Sequence, residues 1–212
     1  MIMEPKVDTW DAVTKERQGQ KKTPGEEVIA LHDLFHNKEV KKILDLGCGS
    51  GRHLVYFAKL GYDVYGIDVS PEAIKLSEKW LSDEGLHAEL HCKDMQRLPW
   101  PDNFFDAVFS VQVIEHNHLE HIRKIIKEVH RVIHLAGYFF AIVKKYPPQK
   151  EWKKGKFAKL DRHLYAPTEG TEKGMVHYFF TEDELIDILA GFNIIEIKAD
   201  KKEEHFCVLT QK

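Results

Sequence analysis

Cysteine is scarce in this 212-residue chain. Cys48, Cys92 and Cys207 lie far apart, and no two form a CxxC pair. An odd, scattered set of three suggests neither a disulfide framework nor a zinc site, and a cytoplasmic location is the expectation. Net charge is also small: 31 basic against 34 acidic residues leave −3. No global basic field is present to attract nucleic acid or a membrane surface. Long hydrophobic runs are missing, since the longest clean one, YFFAIV at 138–143, is far too short to span a bilayer. The opening MIMEPKVDTWD is polar and acidic, unlike a signal peptide. There is no internal repeat and no low-complexity tract. What remains is ordinary globular composition, 43% apolar and 31% charged, and a length that suits one domain, 1–212, around one well-buried core.

The pattern along the chain alternates strand and helix. TPGE (23–26) predicts a helix start, with Thr23 as cap, Pro24 in the first turn and Glu26 completing a capping box. Lys41–Leu46 is a short apolar strand that runs into a glycine loop, and a helix closed by Gly61 follows. YDVYGID (62–68) is the second strand, and Ser70–Pro71 caps the next helix. AELHC (88–92) alternates as a third strand, and FFDAVFSVQVI (104–114) is apolar enough to be buried on both faces. Leu119, Ile122, Ile126, Val129 and Ile133 follow helical spacing, and GYFFAIV (137–143) is a further strand. Thr181 with Glu184 makes another capping box, and NIIEIK (193–198) with HFCVLT (205–210) reads as an antiparallel hairpin. Such alternation predicts an α/β, Rossmann-like, doubly wound and mostly parallel sheet with helices on both faces. Ligands bind such sheets outside the carboxyl ends of the strands, where strand order reverses.

The chemistry concentrates at ILDLGCGSGRH (43–53). Gly47, Gly49 and Gly51 follow the first strand and let a ligand approach the backbone. Asp68 ends the second strand 21 residues after Gly47, where an acid can accept from the hydroxyls of a ribose. Two nucleotide ligands compete. A nicotinamide dinucleotide wants GxGxxG, but the third glycine comes one position early and Arg52 takes its place. Asp45 would also set a carboxylate toward the pyrophosphate. S-adenosylmethionine has no phosphate and carries an ammonium and a sulfonium, so Asp45 suits its methionine end, directly or through water.

On these residues the chain resembles a class I S-adenosylmethionine-dependent methyltransferase of the methyltransferase 11/25-like group. ILDLGCGSGRH resembles the family's glycine motif, YGIDVS (65–70) its acidic second motif, KDMQRLPWPDNFFDAVFSVQVIEH (93–116) its third motif and fourth strand, and IKEVHRVIHLAGYFF (126–140) its later helix, turn and fifth strand. Ala136 departs from the glycine usual in that turn. The resemblance implies seven strands with an antiparallel last strand. It also implies cofactor-binding residues: Asp45 and the Gly47–Gly51 backbone, Cys48 included, beside the methionine and ribose; Asp68 on the ribose; Val69 on the adenine; Asp94 and Met95 on the adenine edge; Val111 and Gln112 at the ammonium and methyl-transfer face. The product would be S-adenosylhomocysteine.

Methyl transfer from a sulfonium needs no acid, and a base only where the acceptor carries a proton that must leave. His116, just past the fourth strand, is the first candidate base and Glu115 the second. His116, His118 and His121 match no metal-ligand spacing. His177 and Tyr178, before the last major helix, are candidates for the acceptor wall. The N-terminal segment 1–38 carries Trp10 and Arg17 as candidate lid residues, and an arginine could meet a carboxylate there. Residues 144–175 form a long insertion on the substrate side, with eight basic residues against two acids between Lys144 and Arg162. The expectation is an enzyme methylating an unidentified acceptor, a small molecule before RNA or protein. A non-catalytic S-adenosylmethionine-binding protein and a dinucleotide-dependent oxidoreductase remain as alternatives.

Overall fold

The computed structural model describes residues 7–17, 23–148 and 156–212. Five strands lead the fold: β1 (Lys42–Leu46), β2 (Asp63–Asp68), β3 (Glu89–Cys92), β4 (Phe105–Val111) and β5 (Ile133–Lys144). They alternate with α2 (Glu26–Asn37) ahead of β1, α3 (Arg52–Lys59), α4 (Pro71–Asp83) and α5 (Leu119–Val132), while α1 (Val7–Glu16) precedes them all. After β5 come three short strands, β6 (Phe157–Lys159), β7 (Leu164–Pro167) and β8 (His177–Tyr178), then α6 (Glu182–Ile188) and the hairpin β9 (Asn193–Ala199) and β10 (His205–Gln211). The main sheet has seven strands in the order β3-β2-β1-β4-β5-β10-β9. β1 through β5 pair in parallel, and β10 alone runs against its neighbours β5 and β9. Strand order therefore reverses between β1 and β4, which fixes where a ligand crevice opens.

Alternation along the strands supplies both faces of the core. Leu44, Leu46, Phe139, Ala141 and Val143 face α5 and α6, while Ile43, Phe140 and Ile142 share the opposite cluster with Val28, Phe35 and Phe57 of α2 and α3. Burial on both sides explains why β4 and β5 read as continuous apolar runs.

Capping differs at one end. Ser70 Oγ accepts from Ala73 N at 3.0 Å, and the Thr181–Glu184 box forms in full. The Thr23 box does not: α2 starts at Gly25 with no side-chain cap, and Glu26 instead accepts from Lys201 Nζ at 2.6 Å. Ile133, whose spacing suits α5, is the first residue of β5, because its backbone has already turned extended (φ −76°, ψ 134°). Ala136 takes the left-handed conformation (φ 68°) that the glycine would favour, and its N donates to Lys212 O at 2.9 Å. The segment after β5 carries a small antiparallel sheet, β6-β7-β8, which its sequence did not announce. Part of its basic run, residues 149–155, lies outside the described residues.

Candidate active site

The carboxyl ends of β1, β2, β3 and β4 open into one cleft of about 470 Å³. The loop after β1 forms its floor. Gly47 takes φ +82°, and its N donates to Ile67 O at 2.8 Å. A Cβ there would lie 2.4 Å from Val113 Cγ1, so the loops after β1 and β4 touch only because this residue has no side chain. Gly49 takes φ +54°, and a Cβ at this position would meet nothing within 4 Å, so its backbone is open to the cleft that it lines. Gly51 sits behind the wall, where Ser77 of α4 packs against it.

Asp68 is held ready at the end of β2. Its Oδ2 accepts from Gly49 N and its Oδ1 from Ser70 N, both at 2.9 Å. Burial raises its pKa, opposed by those two donors. Each carboxylate oxygen keeps acceptor capacity for a further donor. Val69 lines the cleft beside it, and Asp94 and Met95 line it after β3, with Asp94 Oδ1 accepting from Gln96 N at 2.8 Å. Val111 and Gln112 line it after β4.

Asp45 is 1% exposed and stands below the wall rather than in it. His53 Nδ1 lies 3.7 Å from its Oδ2, an oxygen without a hydrogen-bond partner among the described residues. His53 and Arg52 of α3 line the cleft, and Asp45 does not. Cys48 is in the wall, but burial first, and then Asp68 and Asp45, push its thiol well above the ordinary range, so it stays protonated.

α1 roofs the cleft with Trp10, Val13 and Thr14, and Arg17 follows it at the edge. Asp11 ties the roof to α4 by accepting from Ser70 Oγ and from Glu72 N. On the other side Arg17 pairs with Glu172, and Thr171 Oγ1 donates to Glu16. The Trp10 ring meets His116 edge-on at 4.9 Å, and His116 meets His177 at 4.4 Å. His116 lines the cleft; burial, then His177, holds its pKa well below the imidazole range, so the ring is neutral and weakly basic. His177 is 2% exposed and lies behind His116, with Nε2 3.3 Å from Glu172 Oε2. The His177 hydrogen bond and the charge of Arg17 bring Glu172 down to about 2 against its burial.

Two candidates fall elsewhere. Glu115 is fully buried and absent from the wall; neither carboxylate oxygen has a hydrogen-bond partner among the described residues, and burial pushes its pKa up to about 7. Tyr178 packs away from the cleft, where its hydroxyl donates to Glu184 Oε1 at 2.7 Å and its pKa lies well above the phenol range. Sequence reasoning missed Val13, Thr14, Asn117 and Glu172, none of which sits in a recognisable motif. Among the described residues, no three His, Cys, Asp or Glu side chains group to hold a metal, and no helix is long and apolar enough to cross a membrane.

A cleft at the switch point, with a glycine loop and an acid ending β2, suits a ligand that carries a ribose. Residues 44–141 match the family model described as a methyltransferase domain, and the fold is similar to that of solved S-adenosylmethionine-dependent methyltransferases. A solved S-adenosylmethionine-dependent methyltransferase from Methanosarcina mazei superposes with a TM-score of 0.73 at 26% identity, covering 84% of this chain and 96% of that one. Ajmaline N-methyltransferase of Rauvolfia serpentina is 36% identical over 99 residues, 45% of this chain and 33% of the relative. The tRNA N(3)-cytidine methyltransferase METTL2 of Danio rerio is 28% identical over 186 residues, 81% of this chain and 50% of the relative. The chain thus spans a third to a half of the length of these curated relatives.

Proposed function

We propose that the protein transfers a methyl group from S-adenosylmethionine to a small-molecule acceptor. The observation that carries this reading is the convergence of four strand ends on one cleft that α1 covers. The open backbone at Gly49, the poised Asp68 carboxylate and the acid Asp45 buried beneath the loop fit a ligand with a ribose at one end and cationic groups at the other. Asp68 would hold the ribose, Val69 and Met95 the adenine faces, Asp94 its edge, and the Gly47–Gly49 backbone with Gln112 the methionine end. When bound, the cofactor supplies an electrophilic methyl on a sulfonium that departs as a neutral thioether.

The chain's own residues then have to align the acceptor and exclude water. Trp10, His116 and Asn117 line the cleft, with Trp10 packed edge-on against His116, and they would touch the acceptor. A neutral His116 orients it through a hydrogen bond and serves only as a weak base. Glu115 holds a proton near neutrality but does not reach the cleft. The roof, tied on both sides by Asp11 and Arg17, favours a small acceptor over a polymer. Ajmaline, named in one relative, is an acceptor of that size; the cytidine of tRNA, named in another, marks the competing class. Three free cysteines suit a reducing, cytoplasmic compartment.

The test is calorimetry with the Asp68→Ala variant. Loss of a charged acceptor should weaken S-adenosylmethionine binding by about 1.5–3 kcal/mol. Unchanged affinity in the folded variant refutes the ribose assignment.

A further inference from the structure

Gln112 stands in an unusual backbone state. It follows β4 with φ +56°, a left-handed conformation that side chains rarely adopt, and its N donates to Ile142 O at 2.8 Å. Such strain persists where the surroundings hold it, often at functional sites. Here the turn places the side chain both on the cleft and against the C-terminal hairpin, with Nε2 3.0 Å from His205 Nε2.

His205, the first residue of β10, is in turn held from behind. Its Nδ1 lies 2.9 Å from Asp200 Oδ2. Asp200 is itself fixed in the β9–β10 turn: its Oδ1 accepts from Glu204 N at 2.8 Å and from His205 N at 3.3 Å, and its N donates to His205 O at 2.9 Å. Asp200 and His205 side chains are only 15% and 13% exposed. A carboxylate can only accept, so the shared proton lies on Nδ1; the amide nitrogen of Gln112 can only donate, so His205 Nε2 faces it with a lone pair. The Gln112 amide must then donate its N–H to that lone pair. Its Oε1 is left as the amide atom for whatever occupies the cleft.

The sheet order says which part of a ligand meets that oxygen. An acid ending β2 takes a ribose, and β4 lies two strands over, about 10 Å away at ordinary strand spacing. Adenosine over β2 and β3 therefore puts the amino-acid end of the cofactor over β1 and β4, beside Gln112. A carbonyl oxygen accepts from an ammonium there; an amide N–H₂ would repel it.

We infer that Asp200 and His205 are positioning residues that set the Gln112 amide with its oxygen toward the cofactor's ammonium. The inference rests on the cofactor reading above. In Asp200→Asn the new side-chain amide donates to Nδ1, the ring proton moves to Nε2, and the Gln112 amide turns over. His205→Ala releases the amide altogether.

The probes are S-adenosylhomocysteine, which carries the ammonium, and 5′-methylthioadenosine, which lacks the amino-acid end. Both are titrated by calorimetry into the full chain and the two variants, with thermal melts to establish folding. S-adenosylhomocysteine should bind about tenfold or more weakly to each variant, while 5′-methylthioadenosine binds all three alike. Unchanged affinity for both ligands, or an equal loss for both, overturns the relay while leaving the cofactor assignment standing. Failure of the unaltered protein to bind S-adenosylhomocysteine overturns the cofactor assignment, and the relay with it.

Discussion

Gly47→Ala tests how the glycine loop and the loop after β4 hold each other. The native residue sits at φ +82°, and an added Cβ would lie 2.4, 2.7 and 2.9 Å from the Cγ1, Cγ2 and Cβ atoms of Val113. Left-handed backbone costs a side-chain-bearing residue about 1–2 kcal/mol. Overpacking adds about 1–3 kcal/mol, because Val113 belongs to the turn leading to the 3₁₀ segment Ile114–His116 and cannot simply swing away. The sum, about 2–5 kcal/mol, corresponds to a melting temperature lower by about 4–20 °C in a chain of this size. Thermal melts followed by circular dichroism measure it. Truncating the partner separates the two contributions. Val113→Ala in the Gly47→Ala background should recover the steric part, giving a favourable coupling of about 1–3 kcal/mol, while the backbone part stays. Gly49→Ala is the control: it shares the left-handed backbone but has nothing within 4 Å of the new Cβ, so it should melt within about 1–2 kcal/mol of the native protein. Equal destabilisation by both alanines, or no coupling between positions 47 and 113, would refute the reasoning.

Two further outcomes concern one buried and one half-buried carboxyl, shifted in opposite directions. Glu115 titrates at about 7 in the folded protein against 4.5 ordinarily, so between those values the folded state holds a proton that the unfolded chain has released. Stability should therefore fall by about 3 kcal/mol as pH rises from about 4.5 to above 7, and Glu115→Gln should melt higher than the native protein at pH 8 by more than at pH 5; parallel melting curves across that range exclude the assignment. Glu184 is opposite: burial raises its pKa, but Thr181 N, the Tyr178 hydroxyl and His163 overcome it and hold it below the carboxylate range. Its contribution is present above the ordinary carboxylate pKa and lost as pH falls through the lowered one, so Glu184→Gln should cost about 1–3 kcal/mol near pH 7 and progressively less in acid, which denaturant titrations at pH 7 and pH 3 would read.

Much of the main sheet was legible because its signals are local. Strand alternation, the Ser70 cap and the Thr181–Glu184 box each lie within a few residues, and the wall residues Asp68, Val69, Asp94 and Met95 come from contiguous motifs. What escaped depends on contacts between distant segments. Glu26 could have completed a capping box, but Lys201, 175 positions away, takes it. The strands β6, β7 and β8 span two to four residues each, too short to show a period. Tyr178 and His177 alternate on β8, and only packing decides that one meets Glu184 while the other backs His116. Glu172 and Asp200 carry no motif, and their roles exist only once the segment after β5 and the hairpin fold beside the cleft.

The central claim is the identity of the ligand in that cleft. Calorimetric titration of the purified protein with S-adenosylmethionine, S-adenosylhomocysteine and NAD in parallel tests it most directly. The account predicts binding of the first two and none of NAD. Binding of NAD alone, or of none of the three by folded protein with no ligand carried through purification, would contradict it.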